Sequence, residues 1–156
     1  MADHCRQGAL PAGIDRVSAE LSEVLASADY IVSSLPSTAT TRGLLDGEAL
    51  AATLVGRPAS RPPPTLINIG RGDLLSEESV LSALAAGWLR GAVLDVFPTE
   101  PLPPQSKLWG HSAVRLTPHV SAVSFPADVA EIFARNLQHR LAGEPFEFEI
   151  DWAKGY

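Results

Sequence analysis

Thr65-Leu-Ile-Asn-Ile-Gly-Arg-Gly-Asp73 opens the stretch whose reading decides the fold, and Gly91-Ala-Val-Leu-Asp-Val96 closes it. The first segment is a β-branched apolar run ending in two glycines, the pattern of a buried strand running into a sharp turn. Between the two segments, Val80, Leu81, Leu84 and Trp88 recur at helical spacing from Ser76 to Trp88, with Gly87 near the end. Strand, turn, helix and strand at these lengths call for a crossover connection and a mainly parallel sheet. Arg71 then stands at the mouth of one strand and Asp95 near the end of the next. Open α/β sheets bind ligands at that carboxyl edge.

Working outward, residues 1–16 read as a loop, with Arg6 as its one side chain of interest. Val17 to Ala28 carries Leu21, Val24, Leu25 and Ala28 on one helical face, with Ser18 as its N-cap. Asp29 to Leu35 is a short strand stopped by Pro36; a polar loop and a short helix over Leu44–Leu54 follow. The proline-rich residues 56–64 read as an extended surface spacer, the alternative being a segment for a proline-binding partner. Beyond Val96 comes a proline-stiffened loop holding Glu100, then the strand Val114–Thr117 leading to Pro118 and His119. Pro126 to Leu141 is the longest helix, with Val129, Phe133, Leu137 and Leu141 as its apolar stripe. Phe146 to Ile150 reads as an edge strand or an arm. The division expected is one domain over residues 1–145 and an arm or strand over 146–156.

The totals bound the function. A chain of 156 residues with 46% hydrophobic and 19% charged residues forms about one globular domain. A net charge of -6 and a pI near 5.1 argue against nucleic-acid binding through a broad basic face. One cysteine, Cys5, excludes an internal disulfide framework and cysteine zinc sites, and fits a reducing, cytoplasmic setting. No apolar run reaches the ~18 residues of a membrane span, and no metal site is expected. His4, His111 and His139 show no partner pattern and read as surface residues; Trp88 and Trp109 read as packing residues.

With those residues in hand, the chain resembles the NAD(P)-binding domain of D-isomer-specific 2-hydroxyacid dehydrogenases, in the glyoxylate and hydroxypyruvate reductase branch. The matching pieces are Ala28-Asp-Tyr-Ile-Val-Ser-Ser-Leu-Pro-Ser-Thr-Ala-Thr-Thr-Arg-Gly-Leu-Leu45, Ile67-Asn-Ile-Gly-Arg-Gly72, Gly91-Ala-Val-Leu-Asp-Val-Phe-Pro-Thr-Glu-Pro-Leu102 and Leu116-Thr-Pro-His-Val-Ser121. The resemblance implies a Rossmann-like α/β fold with a mainly parallel sheet and flanking helices. It implies reduction of a small 2-keto acid with NADP or NAD, NADP slightly favoured. Arg71 would hold the substrate carboxylate, a planar acceptor suited to a guanidinium fork. His119 would act as general acid, and Glu100 would orient its imidazole. Leu35, Pro36, Thr41, Ile69, Gly70, Arg71, Asp95, His119 and Ser121 match positions that line the dinucleotide. Arg6 matches a basic position that meets the 2′-phosphate of NADP.

The resemblance also locates departures. No Gly-x-Gly-x-x-Gly turn occurs in the chain, although relatives carry one just upstream of the point matching residue 1. The expectation is therefore a partial dinucleotide-binding domain, whose isolated turnover is poor. Its partners would be a small keto or hydroxy acid and a second chain, as a homodimer or with a full-length relative. The alternative is a truncated, non-catalytic module that pairs with such a relative. Each residue also has a plainer reading. Arg71 and its glycines serve a tight turn, Glu100 is a solvated loop carboxylate, Asp95 caps a turn, and His119 is a structural strand-end histidine.

Overall fold

The computed structural model of the chain describes Leu10 and residues 12–153. Arg6, Cys5 and His4 lie outside the described residues. Among the described residues four strands, β1 (Tyr30–Ser33), β2 (Thr65–Asn68), β3 (Gly91–Leu94) and β4 (Val114–Leu116), form one sheet in the order β1-β2-β3-β4. All three pairings are parallel, with Tyr30 opposite Thr65, Thr65 opposite Gly91 and Ala92 opposite Val114. Each carboxyl end therefore opens on the same edge, which gathers Leu35, Ile69, Asp95 and Thr117.

Among the described residues three α-helices accompany the sheet: α1 (Leu21–Ser27), α2 (Glu77–Ala85) and α3 (Pro126–Ala142). Leu25, Leu50, Leu66, Val80, Ala83, Leu89, Leu94 and Leu108 make one continuous core. That core covers one face of the sheet. On the other face Tyr30 and Val32 are largely exposed and Ile67 and Val93 are half-buried. Parallel strands are ordinarily covered on both faces, so among the described residues the sheet is half-clothed.

Helix α2 follows from its sequence. Ser76 caps it by accepting the Ser79 N–H at 3.2 Å, and Glu77 and Glu78 sit in the first turn, where the helix dipole favours negative charge. The Asp46 carboxylate adds bonds from the Ser76 N–H at 2.6 Å and the Ser79 hydroxyl at 2.8 Å, fastening a distant loop to the helix start. Burial raises the affinity of Asp46 for a proton, but the Ser76 and Ser79 bonds outweigh it and hold its carboxyl below the usual range. The expected cost of Ser76→Ala is about 1 kcal/mol, a fall of roughly 3 °C in Tm by circular dichroism.

Three sequence expectations are corrected. The first helix starts at Leu21 rather than Val17, and its N-cap is Glu20. Ser18 spends its hydroxyl on the Glu20 N–H at 3.0 Å and the Glu23 carboxylate at 2.9 Å, a local turn that competes with helix. Within Leu44–Leu54 only Ala49–Leu54 is helical, and it is a 3-10 turn. Gly47 at φ 61° interrupts the right-handed run.

The proline-rich loop is not a free spacer. Arg57, its side chain 2% exposed, donates to the carbonyls of Ala28, Thr53 and Pro62, while Arg61 bonds Asp29 at 2.7 Å. Arg61 and then Arg57 draw the Asp29 pKa down to about 2. The apolar stripe of α3 stays largely exposed, with Val129, Phe133, Leu137 and Leu141 all open, and Phe133 and Leu137 share a shallow hollow with Phe146 and Phe148. The turn after α3 is held by Arg135 on the Glu147 carboxylate at 2.9 Å, and Phe146–Ile150 forms no strand.

Candidate functional site

Three loops meet at the carboxyl edge of the sheet, and two glycines let them touch. A Cβ on Gly70 would lie 2.6 Å from the Leu35 carbonyl oxygen, and one on Gly72 would lie 2.0 Å from the Phe97 carbonyl carbon. Both neighbours are backbone, so the turn after β2 is wedged between the chain leaving β1 and the chain leaving β3. Asn68, buried at the end of β2, ties the same turn by donating to the Arg71 carbonyl at 2.9 Å and accepting the Gly70 N–H at 3.2 Å.

That wedge places Arg71 in a cleft of about 360 Å³ whose walls include Ser37, Asp73, Phe97, Glu100 and His119. The Arg71 guanidinium is exposed and donates through Nη1 to its own Gly70 carbonyl at 2.7 Å; its other N–H groups hold no partner among the described residues. Across the cleft, His119 Nδ1 lies 2.8 Å from Glu100 Oε2. The His119 bond and the Phe97 N–H hold the Glu100 carboxyl below its ordinary range. With that carboxylate ionised, Nδ1 is the donor, and Nε2 is left without a partner among the described residues. A larger, mainly apolar hollow of about 550 Å³, walled by Leu102, Trp109 and Leu116, shares the His119–Glu100 pair.

His119 has φ 54°, in the left-handed region that few non-glycine residues adopt. Asp95 holds it there. Its carboxylate, 1% exposed, accepts the Thr117 hydroxyl, the Val120 N–H at 3.0 Å and the Ser121 N–H at 2.9 Å, while its carbonyl accepts the His119 N–H at 2.8 Å. Burial pushes the Asp95 proton affinity up, but the Thr117, Val120 and Ser121 bonds win and keep it ionised far below the usual carboxylate range.

The remaining sequence candidates fall along the same edge. Leu35 and Ile69 expose large apolar side chains at the strand ends. Thr41 turns its hydroxyl inward onto the Pro36 carbonyl at 2.6 Å and accepts the Thr38 N–H at 2.8 Å, so it braces its own loop. Ser121 contributes its backbone N–H to Asp95. Three residues of the site were not among the sequence candidates: Ser37, Asp73 and Thr117. Asp73 stands two positions after Arg71, a signal already present in the sequence; Ser37 bonds it from 36 residues away.

Two other expectations change. Trp109 is exposed rather than packed, its indole N–H donating to the Pro103 carbonyl at 2.9 Å. His111 and His139 do have partners, the Ala113 N–H at 3.2 Å and the Pro145 carbonyl at 2.6 Å. Among the described residues no cluster could hold a metal ion, and no helix is long and apolar enough to cross a membrane.

Comparison with known proteins gives a concordant picture. The profile of the D-isomer specific 2-hydroxyacid dehydrogenase NAD binding domain matches residues 6–121. The glyoxylate/hydroxypyruvate reductase A of Klebsiella pneumoniae is 38% identical over 138 residues, 88% of this chain and 42% of that protein. A probable 2-hydroxyacid dehydrogenase of Rhizobium etli, solved with NADP, HEPES and L(+)-tartaric acid, superposes with a TM-score of 0.84 at 37% identity, covering 97% of this chain and 47% of that one. An NADPH-dependent glyoxylate/hydroxypyruvate reductase of Sinorhizobium meliloti, solved with NADP and sulfate, has a TM-score of 0.84 at 33% identity, over 97% of this chain and 48% of that one. The chain thus spans less than half the length of these relatives.

Proposed function

Because the chain belongs to the D-isomer specific 2-hydroxyacid dehydrogenase family through its NAD-binding domain, we propose that its cleft serves the reduction of a small 2-keto acid of the glyoxylate or hydroxypyruvate kind. The observation that carries this reading is the His119–Glu100 contact of 2.8 Å in the same cleft as Arg71, which has no carboxylate partner among the described residues. In it, Arg71 grips the substrate carboxylate through its free N–H groups and draws electron density from the adjacent carbonyl. His119 donates the Nε2 proton to the carbonyl oxygen as the alcohol forms. Glu100 keeps the Nδ1 proton in place, so the imidazole presents its other nitrogen to the substrate.

The exposed Leu35 and Ile69 and the Gly70 turn, on the sheet edge beside this cleft, fit the nicotinamide end of a dinucleotide. When bound, the cofactor supplies the hydride. NADP is the form named for the similar Rhizobium and Sinorhizobium proteins, and Arg6 is proposed to meet its 2′-phosphate. Pro36, Thr41, Asp95 and Ser121 belong to the same proposed cofactor wall. The reading has the protein act in the cytoplasm, as a homodimer or beside a full-length relative.

Titrating the chain with NADPH by fluorescence and then adding glyoxylate tests this. NADPH oxidation is expected, with His119→Ala reducing it about a hundredfold while NADPH binding persists. Oxidation insensitive to that substitution would overturn the reading. The exposed stripe of α3 favours one other reading, a module that pairs with a full-length relative without turnover. NADPH binding with no oxidation at all would select it.

A further inference from the structure

We infer that Asp73, set by Ser37 and Arg42, makes the cleft selective for 2-hydroxy and 2-keto acids bearing one carboxylate and a neutral, hydroxylated tail. The inference rests on the proposed role of Arg71 as the carboxylate anchor. Asp73 lines the same cleft as Arg71, two residues further along the turn that Gly72 wedges against Phe97. Its orientation is fixed by Ser37 on the same cleft wall and by Arg42 behind it. Ser37 donates its hydroxyl to Asp73 Oδ2 at 2.6 Å, Arg42 Nε donates to the Ser37 hydroxyl at 3.0 Å, and Arg42 lies 3.3 Å from Asp73 Oδ2. The Gly43 N–H on the Asp73 carbonyl at 2.8 Å anchors the backbone beneath.

The charges sort the ligands. Arg71 satisfies one carboxylate. A second anionic group on the same small molecule would then face Asp73, whereas Glu100 on the other wall is paired with His119 at 2.8 Å, so Asp73 carries the discrimination. Arg42 offsets part of this repulsion, but it is largely exposed and already committed to Ser37 and Asp73. A hydroxyl tail meets the opposite situation. Asp73 Oδ1 accepts no hydrogen bond among the described residues, so it is available to a donor. A like charge facing the ligand discriminates mainly by penalising the wrong one.

Binding of stable 2-hydroxy acids to the isotope-labelled chain, followed by NMR at Arg71 and His119, tests this without requiring turnover. Glycerate is expected to bind about tenfold more tightly than malate or 3-phosphoglycerate. In Asp73→Asn the advantage over the doubly anionic acids should fall to within about threefold. Ser37→Ala, which frees the carboxylate to turn, should blur the preference in the same direction. An unchanged preference in Asp73→Asn overturns the selector while leaving Arg71 as anchor. If Arg71→Gln leaves acid binding intact, or if no acid binds, the anchor itself fails and the selector with it.

Discussion

Replacing Gly72 by alanine is expected to destabilise the chain by about 4 kcal/mol, lowering Tm by roughly 10 °C. The added methyl would meet the Phe97 carbonyl carbon at 2.0 Å and its oxygen at 2.1 Å. Neither atom belongs to a flexible side chain, so relief requires the turn after β2 and the chain after β3 to separate. Phe97 also donates its N–H to Glu100 at 2.9 Å, so the separation would loosen Glu100 and His119 together with Arg71. Urea unfolding measures the stability, and loss of the His119 Nδ1 proton resonance would report the site. A variant as stable as the wild-type chain would mean the three loops are not wedged as described.

The second large effect is expected at Asp95. Asp95→Ala leaves the Thr117 hydroxyl and the Val120 and Ser121 N–H groups without their acceptor, at a cost of about 3 kcal/mol. The left-handed backbone at His119 then loses the anchor on either side of it. The dependence on pH follows from the depressed Asp95 pKa. Its stabilising contribution is complete above the ordinary carboxyl value of 3.8 and is lost as pH falls from there through the lower folded value. The stability gap between the wild-type chain and Asp95→Ala should therefore be constant near neutrality and narrow below about pH 4, measured by urea melts across pH. A gap independent of pH down to 2 would contradict the ionised tether.

The positions of Arg71 and His119 just past strand ends, and of Glu100 in the proline-stiffened loop after Val96, were legible in the sequence, because parallel strands bring such ends to one edge. The roles proposed for them came from the family resemblance. Asp73 was equally close to Arg71, but nothing in its immediate neighbourhood distinguishes a cleft wall from a solvated turn. The network that gives it meaning begins at Ser37, beyond a glycine-punctuated loop whose path local pattern does not set. Asp95 was legible as a strand-end carboxylate; the three donors that hold it, 22 to 26 residues away, were not.

The fold divides in the same way. Hydrophobic periodicity and glycine turns determined by themselves the alternation of strands and helices, the parallel sheet and the stop at each carboxyl end, because these depend on neighbours a few residues apart. Only the tertiary structure decided that α3 keeps its apolar stripe exposed, that Arg57 and Arg61 clamp the proline-rich loop, and that Asp95 is buried beneath His119. Those outcomes rest on which distant surfaces meet and which polar groups must be satisfied when they do, and such pairings leave no period in the chain.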